Sequence, residues 1–136
     1  MKVSTNQLKI EFIRYEVEEK DKKPPAQNKF VFLLNRDVLT MVAGPIIIYP
    51  YHAALIDKYC RDNRIPSAWI HKPDLVEIFD PLVQVKGGGH LDIYPERQVI
   101  NIYGHSTAYG PFSSDYMKRF ITEHPFFALF SVRVRL

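Results

Sequence analysis

The chain has 136 residues, 46% apolar and 24% charged, which gives enough material for one hydrophobic core but not two and excludes a fibrous or disordered architecture. Its net charge of +3 comes from lysines and arginines scattered along the sequence, so composition points to no nucleic-acid surface. One cysteine, Cys60, excludes an internal disulfide, and the longest apolar run, Val42 to Tyr49, is broken by Gly44-Pro45 and is too short to cross a bilayer. Lys9, Glu11 and Arg14 interrupt the early apolar stretches, so no signal-peptide pattern opens the chain. The expectation is a single cytoplasmic domain over residues 1–136, monomeric, with neither a membrane nor a nucleic acid as partner.

Leu8, Ile10 and Phe12 alternate with Lys9 and Glu11, which predicts a half-buried strand over 8–17. Glu18 to Asn28 gathers charges around Pro24 and Pro25 and predicts an exposed loop. Lys29 to Leu34 is apolar at nearly every position after its lysine, as in an interior strand covered on both faces. Val38 to Tyr49 is rich in β-branched residues but is punctuated by Gly44-Pro45, giving two short strands or one bulged strand. Pro50 suits a first helical turn, and His52, Leu55, Ile56, Tyr59 and Cys60 follow at helical spacing, so an amphipathic helix is predicted to end near Asn63.

Arg64 to Asp80 contains Pro66 and Pro73 and has no clean period, with one helical turn fitting Asp74 to Phe79. Leu82 to Val85 and Leu91 to Tyr94 read as short strands on either side of Gly87-Gly88-Gly89, the second forming a hairpin with Val99 to Tyr103. Ser113 and Ser114 offer N-caps for a helix with Tyr116, Met117, Phe120 and Ile121 as its stripe, and Pro125 stops it. Val132, Val134 and Leu136 alternate with Ser131, Arg133 and Arg135 in a last strand.

Two segments hold residues suited to chemistry. His52 stands at a helix start, where the positive end of the helix dipole favours a neutral imidazole that can take a proton or attack; a packed core histidine fits the same position. Tyr103 to Pro111 runs from a strand end through a glycine-flanked loop. Its successive N–H groups suit an anion nest, and its small Ser106 and Ala108 side chains let a phosphate approach; an ordinary strand-to-helix connection has the same composition.

Taken together, Tyr51-His52-Ala53 with Asp57-Lys58, then Gly87-Gly88-Gly89, then Tyr103 to Pro111 resemble the Janus/Ocnus family, which includes the phosphohistidine phosphatases. The resemblance implies an α/β chain of the α+β type, a single small domain with a mixed, mostly antiparallel sheet of about six strands flanked by two main α-helices. It implies cofactor-free hydrolysis of phosphohistidine, and of phospholysine, in phosphohistidine-containing partner proteins. It places the catalytic residue at His52, the phosphate-holding amides at Ser106, Thr107 and Ala108, with the Ser106 hydroxyl as a further donor, and a substrate-binding lysine at Lys29. Tyr51, His90 and His105 stand near enough in the pattern to be accessory. Two departures are visible: His90 occupies a position where the family often has arginine, and the stretch between Lys29 and His52 is shorter than in animal members.

Other phosphatase chemistries fit less well. Pro66 follows Cys60 where a cysteine phosphatase needs its arginine, and no Asp-x-Asp nucleophile pattern occurs. His52, His71, His90, His105 and His124 show no metal-ligand spacing, so no metal is expected. The competing reading is a module of the same fold that holds a phosphorylated partner without turnover.

Overall fold

The computed structural model describes residues 8–16 and 23–136. Its strands and helices are β1 (Lys9–Arg14), β2 (Gln27–Asn35), β3 (Val38–Pro45), α1 (His52–Asp62), β4 (Ser67–His71), β5 (Leu75–Ile78), β6 (Val83–Tyr94), β7 (Val99–Tyr103), α2 (Ser114–Glu123), α3 (Pro125–Ala128) and β8 (Ser131–Val134). Six strands form one mixed sheet in the order β1-β3-β2-β6-β7-β8, with β1–β3 and β7–β8 parallel and the other pairs antiparallel. The small α+β domain with a mixed sheet is as expected. Val17 of the first predicted strand and residues 18–22 of the predicted loop lie outside the described residues; Gln27 and Asn28, assigned to that loop, already belong to β2.

Alternate residues of the interior strands serve two cores. Phe30, Phe32, Met41, Leu91, Ile93, Ile100 and Ile102 pack under α2 and α3 against Phe112, Met117, Phe120 and Phe127. Val31, Leu33 and Val42 pack under α1 against Ala53, Leu55, Ile56, Tyr59 and Cys60. Coverage on both sides is why β2 reads as a continuous apolar run. As the spacing predicts, α1 buries its stripe, His52 included, although it begins one residue after Tyr51 and leaves Pro50 outside. Ser113 caps α2 by accepting from the Tyr116 amide at 3.2 Å. Pro125 both stops α2 and opens the short α3, which His124 caps.

Two sequence expectations give way to longer-range pairing. The pieces flanking the triple glycine are one 12-residue strand, β6, because β2 pairs along both halves of it. The register slips between Val31 and Leu33, and Gly87 absorbs the extra residue at φ 80°. Asp74 to Phe79 holds no helical turn: β5 pairs antiparallel with β4 in a separate two-stranded ribbon. This ribbon sets Trp69, Val76 and Ile78 against the α1 core. Among the described residues no helix is long and apolar enough to cross a membrane.

Candidate active site

The start of β2, the entry to α1, the middle of β6 and the exit of β7 meet at one end of the sheet. They surround an open cleft of about 490 Å³ lined by Lys29, Tyr51, His52, Asp74, His90, His105, Ser106, Thr107 and Ala108. Every residue singled out from the sequence as catalytic, substrate-binding or accessory is on this wall. The ladder explains how distant segments converge, since Lys29 pairs with His90 across β2–β6 and His90 pairs with Tyr103 across β6–β7.

His52 is 5% exposed and sets its Nε2 at 3.0 Å from the carbonyl oxygen of Gly89. A carbonyl only accepts, so Nε2 carries the hydrogen and donates it, and the lone pair belongs to Nδ1. That nitrogen has no partner among the described residues and is not sealed from solvent. Burial, opposed by the Gly89 bond and reinforced by the nearby charges of Lys29, His90 and His105, pushes the His52 pKa down to about 4. The ring is therefore neutral at physiological pH. Gly88 makes room for it: a β-carbon there would stand 2.4 Å from the Phe30 carbonyl oxygen and 2.9 Å from His52 Cδ2. Gly87 serves a different contact, the close passage of the Pro111 carbonyl.

Lys29 directs its ammonium to the carbonyl of Pro50, at the approach to α1, and lies 5.9 Å from the centre of the Tyr51 ring. Partial burial lowers its pKa. His90 stacks on Tyr103 with ring centres 5.1 Å apart and meets His52 edge-on at 6.4 Å. Burial, followed by the charge of Lys29, lowers the pKa of His90 despite the opposing carboxylate of Asp92. At neutral pH this position presents an uncharged ring where the family resemblance expects a permanent cation. The Tyr103 hydroxyl donates to Asp92 at 2.9 Å, fixing the ring on which His90 lies.

The loop after β7 is closed by a reciprocal pair, Ser106 N–H to Gly110 O at 3.1 Å and Gly110 N–H to Ser106 O at 2.8 Å. The Ser106 amide, expected among the phosphate donors, is thus already committed inside the loop. The Ser106 hydroxyl oxygen accepts from the Tyr109 amide at 3.1 Å, which leaves its own hydrogen to give. The amides of Thr107 and Ala108 have no partner in the described chain, and both residues line the cleft. The donors that line the cleft include the Thr107 and Ala108 N–H groups, the Ser106 hydroxyl and the Lys29 ammonium.

Two contributors were not legible beforehand. Asp74, at the turn of the β4–β5 ribbon, lines the cleft and accepts from His71 Nδ1 at 2.6 Å. Tyr109 reaches that ribbon: its hydroxyl accepts from the Val76 amide at 2.8 Å and donates to the Val76 carbonyl at 3.1 Å. Tyr109 sits in the Ala108-Tyr109-Gly110-Pro111 run already noted, whereas nothing local marks Asp74. Among the described residues no group of three or more His, Cys, Asp or Glu stands where a metal ion could be held. Cys60 is buried within the α1 core, and burial raises its pKa, which keeps it a thiol.

No individual curated protein matches the chain at a significant level. A family model does, over residues 40–128, a span that contains His52, the triple glycine and the Ser106 to Ala108 loop but leaves Lys29 outside. That match covers well over half of the sequence, and the chain belongs to the Janus/Ocnus family.

Proposed function

We propose that the chain hydrolyses the phosphorus–nitrogen bond of phosphohistidine in proteins, with His52 as general base. The observation that carries this reading is the neutral His52, its Nε2 hydrogen held by Gly89 and its Nδ1 unpartnered, on the wall of the same cleft as the unpartnered Thr107 and Ala108 amides. Those amides, the Ser106 hydroxyl and Lys29 neutralise the phosphoryl oxygens as charge develops on them, and preorganised donors of this kind are usually the largest catalytic contribution. The free-enzyme pKa of His52 is low for a base. A bound phosphoryl dianion corrects this, because an adjacent opposite charge favours the imidazolium. The base is strengthened when substrate is present. His52 then takes a proton from water through Nδ1 while Gly89 keeps the ring in its tautomer.

The test is phosphate release from a phosphohistidine peptide at neutral pH with EDTA present. Wild type is expected to turn over, and His52→Ala to lose at least about 100-fold, the lower range for removing a general base. A 32P-labelled enzyme that loses its label on replacing His52 would establish a phosphorylated histidine instead of an activated water. The uncharged His90 favours one other reading, a phosphate-recognition module lacking a fixed cation. Binding without His52-dependent release is its signature.

A further inference from the structure

Among the described residues that line the cleft, Asp74 is the one carboxylate; Lys29, His52, His90, His105 and the loop with the free amides form other parts of the same wall. A carboxylate on the wall of an anion site repels a phosphate, and nothing in phosphate binding calls for it. A loosely solvated turn residue would also fit, but Asp74 is not loose. Its side chain is about half exposed (49%), and His71 Nδ1 holds it at 2.6 Å across the turn. The ribbon that carries it is fastened to the phosphate loop through both backbone groups of Val76 by the Tyr109 hydroxyl. Asp74 thereby stands on an element tied to the loop that carries the Thr107 and Ala108 amides, and lines the same cleft.

We infer that Asp74 is the specificity-determining residue of the cleft, accepting a hydrogen bond from an N–H of the leaving group, so that the site favours phosphorus–nitrogen over phosphorus–oxygen bonds. This rests on the phosphohistidine reading and adds the residue that reads the leaving group. In phosphohistidine the ring nitrogen not bonded to phosphorus takes a proton from solvent. Water then attacks phosphorus, and the phosphorus–nitrogen bond breaks with its electron pair returning to the ring. The ring departs as neutral imidazole, still carrying that proton. One hydrogen of the water passes to His52 Nδ1 and on to solvent, and the other remains on the released phosphate. A carboxylate facing the distant N–H raises the share of protonated, readily departing ring. A serine or threonine phosphate presents no N–H there and receives only the repulsion.

Matched peptides carrying phosphohistidine or phosphoserine at one position test this with wild type, Asp74→Asn and Asp74→Glu. Asp74→Asn is expected to lower the phosphohistidine-to-phosphoserine ratio of kcat/KM about tenfold, the size of one charge-assisted hydrogen bond at a half-exposed position, mainly through kcat. It is also expected to tighten binding of inorganic phosphate, and Asp74→Glu to restore part of the ratio. A ratio left unchanged, or both peptides and inorganic phosphate weakened together, overturns the inference and leaves the proposed activity standing. If wild type releases phosphate from neither peptide, the proposed activity fails, and the preference is read from the two peptides' Kd values. A wild-type preference for phosphohistidine lost in Asp74→Asn then supports the role of Asp74, and equal wild-type affinities overturn it.

Discussion

The two faces of the sheet are cut from the same strands, yet one is sealed and the other is open at one end. Under α2 and α3, Phe30, Phe32, Phe112, Phe120 and Phe127 interlock, with Phe32 and Phe120 ring centres 5.6 Å apart. Under α1, the row that begins with Leu33 and Val31 continues to Lys29, and its neighbours in β6 are Gly88 and His90. On this second face, apolar packing ends in a small residue and a buried imidazole, so a methyl group added there meets His52 directly.

Phe120→Ala should break the sealed face alone. Emptying a fully buried aromatic site costs about 3–5 kcal/mol, read from urea unfolding, while kcat per folded molecule stays where it was. The next effect in size separates the faces by pH. The folded pKa of His52, about 4, lies below its ordinary 6.5, so between these values the unfolded chain takes a proton that the folded chain refuses. Stability is unaffected above 6.5 and falls as pH drops, by about 3 kcal/mol at pH 4 from this group. Unfolding of wild type and His52→Gln at pH 7 and pH 4.5 measures it, since the variant lacks this part of the slope. The smallest effect sharpens the comparison most. Gly89→Ala pushes a β-carbon against the Tyr103 carbonyl (2.8 Å) and the Phe112 ring (3.1 Å), whereas Gly88→Ala pushes it against the Phe30 carbonyl and His52. Each costs about 1–3 kcal/mol of overpacking, but Gly88→Ala should also displace the base and lose turnover beyond its loss of stability.

What the sequence disclosed depended on how local the signal was. The strand from Lys29, the stripe of α1 and the Ser113 cap are written in neighbouring residues and appear as expected. The continuity of β6 is not, because glycines carry no strand preference and it is β2 that holds the two halves in one ladder. The β4–β5 ribbon was hidden by its outer side: Ala68, Ile70, Leu75 and Phe79 are exposed apolar residues, which erase the alternation that Trp69, Val76 and Ile78 would otherwise show. His52 and the loop were singled out by residue type and order and Lys29 through the family resemblance, and all three line one cleft. The division of labour within the loop was not legible, since Gly110 decides whether the Ser106 amide is free.

The Tyr109 hydroxyl makes the two elements report on each other. The Val76 amide hydrogen points into that oxygen from β5, in the separate two-stranded ribbon. Solvent hydrogen can replace it only when the bond opens. The exchange rate of this single amide is therefore a readout of how often the loop that carries Tyr109 lets go of the ribbon, observable in the free protein without substrate or label, and it slows if an anion in the cleft holds the loop in place.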